Sequence, residues 1–438
     1  MIGAGFGGLY MLKRLRDELG LSVQLLDKAS SVGGTWHWNR YPGARSDTES
    51  FVYCYSFDRQ LLQDWTWRER YLRQPEILSY LEHVVERYGL SPHIQLGTEV
   101  RAARFDADTG RWTVETGTGE RFGCKYLVTA IGLLSSTNLP RFEGREKFRG
   151  KQYHTGAWPA DAKLDGLRVG IIGTGSTGVQ FITETAPIVR HLTVFQRRPQ
   201  YTVPAQHRPM SPEETARIKA GYDGIWADAR NSSVAFGFVE SKVPAMSVSA
   251  EERERVFQQA WDHGGGFHFM FGTFCDIATD PQANEAAADF IRRKIAEIVE
   301  DPETARKLTP RDLYARRPLC DGGYYETFNR DNVTLVDVRE NPIVRLTETG
   351  VVTADGQEHP LDVLVYATGF DGVDGAYRSI ELQVRNGIRI ADKWSEGATS
   401  YLGITNADFP NMFMILGPNG PFTNLPPSIE TQVEMIAD

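Results

Sequence analysis

Cysteine is scarce in this chain of 438 residues. Only Cys54, Cys124, Cys275 and Cys320 occur, and no two form a CxxC pair. A zinc ribbon or a redox dithiol is therefore excluded as the working device, no metal site is expected, and a reducing cytosol fits. Each thiol reads as an ordinary core or surface group. No run of about 18 apolar residues is present, so no helix is expected to span a bilayer. No charged leader precedes an apolar stretch at the start, so a secretory signal is not expected either. Positive charge is not in excess: the net charge is −9, which argues against a nucleic-acid surface. What is present is 41% hydrophobic and 24% charged residues, the profile of a soluble globular protein. The length suffices for two or three domains with full cores.

Glycine is placed tellingly. Gly3-x-Gly5-x-x-Gly8 opens the chain, followed by Leu9, Leu12, Leu15 and Leu19 at helical spacing and a stop at Gly20. A motif of this kind normally follows a complete strand. Here only Met1 and Ile2 precede it, so the first strand is either very short or preceded by further residues. Ser22 to Leu26 reads as the next strand and ends at Asp27, about 20 residues beyond the last glycine, where an acid bonds a ribose hydroxyl. Trp36 to Ser50 reads as a Gly/Pro/Arg-rich loop, 74–88 as an amphipathic helix and 95–130 as mostly strands. A Ser/Asn/Pro linker at 132–140 is a plausible domain crossing.

The pattern then restarts. Arg168 to Ile172 predicts a strand, Gly173-x-Gly175-x-x-Gly178 a phosphate turn, Ser176 to Thr185 a helix and Leu192 to Phe195 a strand. At the place corresponding to Asp27 stands Gln196, followed by Arg197 and Arg198. No carboxylate is there to repel a 2′-phosphate and cations are there to bind one, which favours NADP over NAD. One such glycine turn alone is a common strand-to-helix connection. Two in one chain, one followed by an acid and one by arginines, point to hydride transfer from a nicotinamide to a flavin. Residues 211–308 are charged and helix-prone (Glu251 to Trp261, Asn284 to Val299), with a glycine-aromatic interruption at Gly264 to Phe274. Strands return at Val333 to Val336, Val351 to Thr353 and Val363 to Tyr366, and Thr368 to Gly375 is a second crossing. The expected fold is α/β: two doubly wound Rossmann-like domains with a helical insertion. The flavin domain comprises 1–138 and 372–438, the NADP domain 139–210 and 323–371, and the insertion 211–322.

Between the glycine turns lies Phe148-x-Gly150-x-x-x-His154-x-x-x-Trp158-Pro159. An isolated His154 would read as a core histidine. The full spacing resembles the fingerprint of type I Baeyer–Villiger monooxygenases. The resemblance extends through Gly33-Gly34-Thr35-Trp36, Arg40 to Asp47, Phe195-Gln196-Arg197, Arg317-Pro318-Leu319, Ala367 to Asp371 and Gly417 to Pro421. Phe271 to Asp276 and Phe422 to Pro427 look most like cyclohexanone monooxygenases. The sequence departs from the family in two ways. Arg316 stands where lysine is usual, and family members usually continue well past the position of Asp438, through a mobile loop and a strand element that close the flavin domain.

The resemblance implies FAD, NADPH and O2 acting on a cyclic or aliphatic ketone, through a C4a-peroxyflavin, to give a lactone or ester. It implies Arg317 as the fixed cation beside the developing oxyanion and Asp47 as its partner. Gly3, Gly5, Gly8, Asp27, Thr35, Trp36, Tyr41 and Asp47 would serve the flavin. Gly173, Thr174, Gly175, Ser176, Gly178, Arg197 and Arg316 would serve NADP, with Arg198 a solvated neighbour. Phe148, Gly150, His154 and Trp158 would couple domain motion to catalysis without touching substrate. Leu133, Phe236, Phe267, Leu416, Phe422, Thr423 and Leu425 would line an apolar ketone pocket. A monomer in the cytoplasm is expected. Three rivals remain: an N- or S-oxidising flavin monooxygenase, a flavin-disulfide reductase (against which the missing cysteine pair counts), and a truncated nucleotide-binding flavoprotein without turnover.

Overall fold

The computed structural model describes residues 1–384, 387–420 and 423–438. Two parallel sheets organise it. In the first, Leu25–Leu26 pairs with Ile94–Gln95 and Leu127–Thr129 with Met412–Met414, all parallel. Ile2 joins the two halves by parallel bridges to Leu26 and Thr129. Its amide donates to Val128 O and the Gly3 amide to Leu26 O, both at 2.9 Å, so this residue lies at the centre of the sheet. The strand expected from Ser22 is limited to Leu25–Leu26. The helix after the glycine turn is regular over Phe6–Lys13 and widens to a π-type turn over Arg14–Glu18.

The second sheet has five parallel strands in the order Val333–Asp337, His191–Gln196, Arg168–Ile172, Val363–Tyr366, Lys151–His154. Val363–Tyr366 is wholly buried and Arg168–Ile172 nearly so, which is why they read as continuous apolar runs without alternation. The helix over Ser176–Thr185 follows the second glycine turn as expected. Two smaller sheets flank these: Glu381–Gln383, Val100–Asp106, Arg111–Thr116 and Arg121–Cys124, and an antiparallel meander of Ile343–Leu346, Gly350–Thr353 and Glu358–Pro360.

The helix-prone segment supplies Pro212–Asn231, Ala250–His263, Pro281–Ile298 and Pro302–Leu308. Their starts are written locally: the side chains of Ser211, Ser249, Asp280 and Asp301 each accept a first-turn amide. The segment packs in two directions. Ile218, Tyr222 and Trp226 join the core around Trp67, Tyr80 and Leu9. Phe257, Phe269 and Ile291 are continuous with the core of the five-stranded sheet, beside Ile171 and Val194. Parallel pairing of Thr202–Pro204 with Leu319–Asp321 closes the segment at its base.

The stretch read as a loop from Trp36 to Ser50 is more ordered than expected. It holds a short helix, Thr35–Trp38, and a strand, Arg45–Glu49, paired antiparallel with Tyr71–Arg73. That strand carries Asp47.

Candidate active site

Both glycine turns have the shape a dinucleotide needs. A Cβ on Gly3 would stand 2.3 Å from Ala130 O, and one on Gly8 1.8 Å from Gly3 O. The same holds in the second turn, where Gly173 and Gly178 would meet Ala367 O and Gly173 O at 2.3 Å. These four glycines pack strand, turn and helix. Gly175 differs: a Cβ there would meet nothing within 4 Å, so its backbone faces open space where a pyrophosphate can approach. Gly5 abuts Gly34, the residue before Thr35–Trp38. Asp27 is buried, and its two oxygens accept the amides of Ala4 (2.6 Å) and Ala29 (2.8 Å). Each oxygen keeps a lone pair for a ribose hydroxyl. The residues present thus fit two dinucleotides.

Other expected cofactor residues sit as follows. Thr35 is exposed beside the first turn. Trp36 is buried and its indole donates to Tyr53 OH at 3.2 Å; burial pushes the Tyr53 phenol up to about 12. The Thr174 hydroxyl donates to Arg198 O, bracing the second turn. Arg197 and Arg198 are exposed, and their guanidinium groups make no ion pair among the described residues. Gln196 turns inward and donates to Lys307 O. Arg316 is ion-paired with Asp312, and with Arg317 it lines a shallow cleft that includes Gln200 and Tyr201.

Asp47 and Arg317 are brought together from distant parts of the chain. Arg317 Nη2 lies 3.1 Å from Asp47 Oδ2; the carboxylate side chain is 3% exposed and the guanidinium side chain 45%. Burying a carboxylate is costly unless donors compensate. Asp47 has three: Arg317, the Ser176 hydroxyl on the same oxygen at 3.0 Å, and Gln180 Nε2 on Oδ1 at 2.9 Å. Ser176 thus turns its side chain towards Asp47.

Gln180 was not anticipated. Its amide donates to Asp47 and to Arg45 O (3.1 Å) and accepts from Tyr41 OH (2.8 Å). Burial holds the Tyr41 phenol well above its ordinary range, so it remains a donor. Glu184 continues the line, pairing with Arg45 at 3.3 Å and Arg73 at 3.1 Å. Ser176, Gln180 and Glu184 are spaced i, i+4, i+8 and share one helix face. That polar stripe, the available sequence signal, docks the helix of the second fold onto the Asp47 strand.

On its other side Arg317 lies over the Phe267 ring, 5.0 Å from the centroid, and Phe267 stacks on Phe236 at 3.8 Å. Asn424 donates to Val52 O and Ala235 O, fixing Thr423–Asn424–Leu425 beside Phe236. Leu133 and Leu425 pack against the core that contains Leu416 and Ala235. Phe422 lies outside the described residues.

Within the fingerprint, His154 lies beside Phe370, whereas Phe148 and Trp158 pack with the five-stranded sheet. Phe148 fills the space beside Gly150, and Trp158 packs on Tyr153 and Phe181. His154 ends its strand, accepts the Gly156 amide at 3.0 Å and meets Phe370 edge-on. Its Nε2 is buried and has no hydrogen-bond partner among the described residues. Burial holds this imidazole below its ordinary value, so it is neutral at pH 7.

The family model for pyridine nucleotide-disulphide oxidoreductases matches residues 1–232. A Baeyer–Villiger monooxygenase of Pseudooceanicola batsensis is 59% identical over 438 residues, covering 100% of this chain and 80% of that one. The chain belongs to the Baeyer–Villiger monooxygenase family. A phenazine N-monooxygenase of Lysobacter antibioticus is 58% identical, over 100% of this enzyme and 81% of its own length. Among solved structures, the cyclohexanone monooxygenase of Rhodococcus sp. Phi1 bound to NADP+ superposes with a TM-score of 0.99 at 63% identity, covering 100% of this enzyme and 82% of that chain. Among the described residues no helix is long and apolar enough to cross a membrane.

Proposed function

We propose that this enzyme uses FAD, NADPH and O2 to insert oxygen beside the carbonyl of an apolar cyclic or aliphatic ketone, working as a monomer in a reducing compartment. One observation carries the reading. The Arg317 guanidinium stands between a buried carboxylate and a stacked phenylalanine pair, which supports its reading as the fixed cation for a developing oxyanion beside an apolar surface.

The Gly3–Gly8 turn, Asp27 and the Thr35–Trp36 segment would hold the flavin, which would supply oxygen-activating chemistry; the Gly173–Gly178 turn and Arg197 would hold the nicotinamide nucleotide, which would supply a hydride. Arg317 keeps its charge through the reaction and stabilises negative charge that builds on the carbonyl oxygen. Asp47 fixes the guanidinium in place. Phe236 and Phe267 with Leu133, Leu416 and Leu425 exclude water and favour an apolar substrate. The half-exposed guanidinium leaves its remaining N–H groups free for substrate.

A second reading rests on the 58% identical phenazine N-monooxygenase: oxygen transfer to the nitrogen of a flat heteroaromatic in the same pocket. One experiment separates the two. NADPH consumption is followed with cyclohexanone, with phenazine and with neither, and products are identified by mass. Cyclohexanone plus one oxygen supports ketone oxygenation. An N-oxide with no lactone replaces it by the second reading, and consumption without either product refutes both.

A further inference from the structure

Strand Met412–Met414 ends at the carboxyl edge of the first sheet, the edge that carries the Gly3–Gly8 turn and where open α/β sheets bind ligands. Its continuation lies against that turn: a Cβ on Gly7 would stand 2.8 Å from Ile415 Cγ2. The next residue, Leu416, is buried in the cluster of Trp36, Val52 and Ala235 and has φ 57, a left-handed backbone that a leucine adopts only under constraint. Leu402, in the turn packed against this segment, has φ 55.

One side chain holds both. Gln432, 2% exposed on the helix Leu425–Ala437, accepts the Leu416 amide at 2.7 Å through Oε1 and donates to Leu402 O at 3.0 Å through Nε2. Glycines make room for it: a Cβ on Gly403 would stand 2.9 Å from Gln432 Nε2, and one on Gly420 3.2 Å. The two backbone segments are also tied directly. Gly417 N donates to Gly403 O at 2.9 Å, and Ser400 N to Asn419 Oδ1 at 3.1 Å.

We propose that Gln432 is a positioning residue for the ketone pocket. Resting on the function proposed above, it acts by locking Leu416 left-handed, which keeps that side chain in the cluster with Trp36, Val52 and Ala235, the residue before Phe236, and fixes the Gly417–Gly420 turn. Strain of this sort persists only where surrounding structure over-determines it, and Gln432 supplies the side-chain part of that constraint beside the direct backbone ties. A helix anchor with no such role would be indifferent to the backbone preference of residue 416.

The test compares Gln432→Met, which loses both bonds, with Gln432→Glu, which keeps the acceptor for the Leu416 amide. Ketone KM and kcat are read with cyclohexanone, NADPH-driven flavin reduction is read separately, and melting temperatures are read in native and Leu416→Gly backgrounds. The expected result is a ketone KM raised about tenfold in Gln432→Met and less in Gln432→Glu, because small misplacements near a reacting centre are costly. Flavin reduction by NADPH stays within about twofold of native, since that step does not need the ketone pocket. Gln432→Met lowers the melting temperature by ~3 °C. In the Leu416→Gly background, where left-handed geometry is free, that drop is halved or smaller. An unchanged ketone KM, or an equal drop in both backgrounds, overturns the assignment. If Gln432→Met does not accumulate as folded protein, the same substitution in the Leu416→Gly background decides: recovery of folded protein there supports the assignment, and continued failure overturns it. If the native enzyme reduces flavin but oxygenates no ketone, the proposed function fails, while the melting-temperature comparison still decides whether Gln432 constrains Leu416.

Discussion

Replacing Gln180 by Met leaves side-chain volume nearly unchanged and removes every polar contact that the amide makes. Asp47 Oδ1 loses its 2.9 Å donor, and the Tyr41 hydroxyl loses its 2.8 Å acceptor. A hydrogen bond to a charged group is worth about 1.5–3 kcal/mol, and a buried hydroxyl without an acceptor costs about 1–3 kcal/mol. Tyr41 retains a marginal 3.5 Å contact to Thr177 Oγ1, so its share falls at the low end. The net loss is then about 3 kcal/mol, divided between stability and the placement of Asp47. The carboxylate keeps Ser176 and Arg317 on Oδ2 only, so it can rotate and draw the guanidinium with it. Product formation from cyclohexanone should fall by about 10- to 100-fold in kcat/KM, against a smaller change in NADPH KM. The assay is gas-chromatographic product quantitation beside NADPH oxidation, so that uncoupled turnover is counted. Native kcat/KM together with a native melting temperature would refute the claim that Gln180 sets the Asp47–Arg317 pair.

Other outcomes can be checked in parallel. Gly175→Ala should fold normally, because its Cβ meets open space, yet raise NADPH KM; Gly178→Ala should fail to fold, because its Cβ would stand 2.3 Å from Gly173 O. Thermal melts and NADPH titration separate the two. Arg197→Ala should raise NADPH KM by about tenfold or more with little change in kcat, whereas Arg198→Ala should do much less, as steady-state kinetics would record. Glu430 is buried against the Ser56 and Phe57 amides, and burial raises its carboxyl to about 7. Between the usual carboxylate value and pH 7 the folded state holds a proton that the unfolded state releases. This contribution is therefore complete in acid and lost as pH rises through 7, by up to about 3 kcal/mol. Glu430→Gln should flatten that slope in chemical denaturation between pH 5 and 8, and an unchanged slope would contradict the assignment.

Much of the architecture was legible because it is written locally. Gly173, Gly175 and Gly178 between an apolar strand and an amphipathic helix state their own geometry, and the helix-prone stretches Glu251 to Trp261 and Asn284 to Val299 fall within the helices Ala250–His263 and Pro281–Ile298, to within a residue at the last. The strand Arg45–Glu49 was not legible. Arg45-Ser46-Asp47-Thr48-Glu49 has the composition of a loop; it becomes a strand by pairing with Tyr71–Arg73, and Gln180, Ser176, Glu184 and Arg317 arrive from elsewhere to satisfy its polar groups. For the same reason Asp47 and Arg317 could be paired from family resemblance, whereas Gln180 could not be found that way. Two residues before Gly3 are too few to show any periodicity, and Ile2 is placed by bridges on both sides. The left-handed Leu416 contradicts local preference, and such contradictions collect where structure serves a site. Arg316, read as a phosphate ligand, is ion-paired with Asp312 in an irregular stretch where no helical spacing announces the pair.

The most direct measurement is single-turnover oxygenation by Arg317→Ala, with flavin reduction by NADPH followed at its absorbance maximum and product quantified from cyclohexanone. The expected result is flavin reduction that persists in part, with lactone formation down by at least ~100-fold. Lactone formed at the native rate by that variant would contradict a fixed positive charge at residue 317 as the source of carbonyl-oxygen stabilisation.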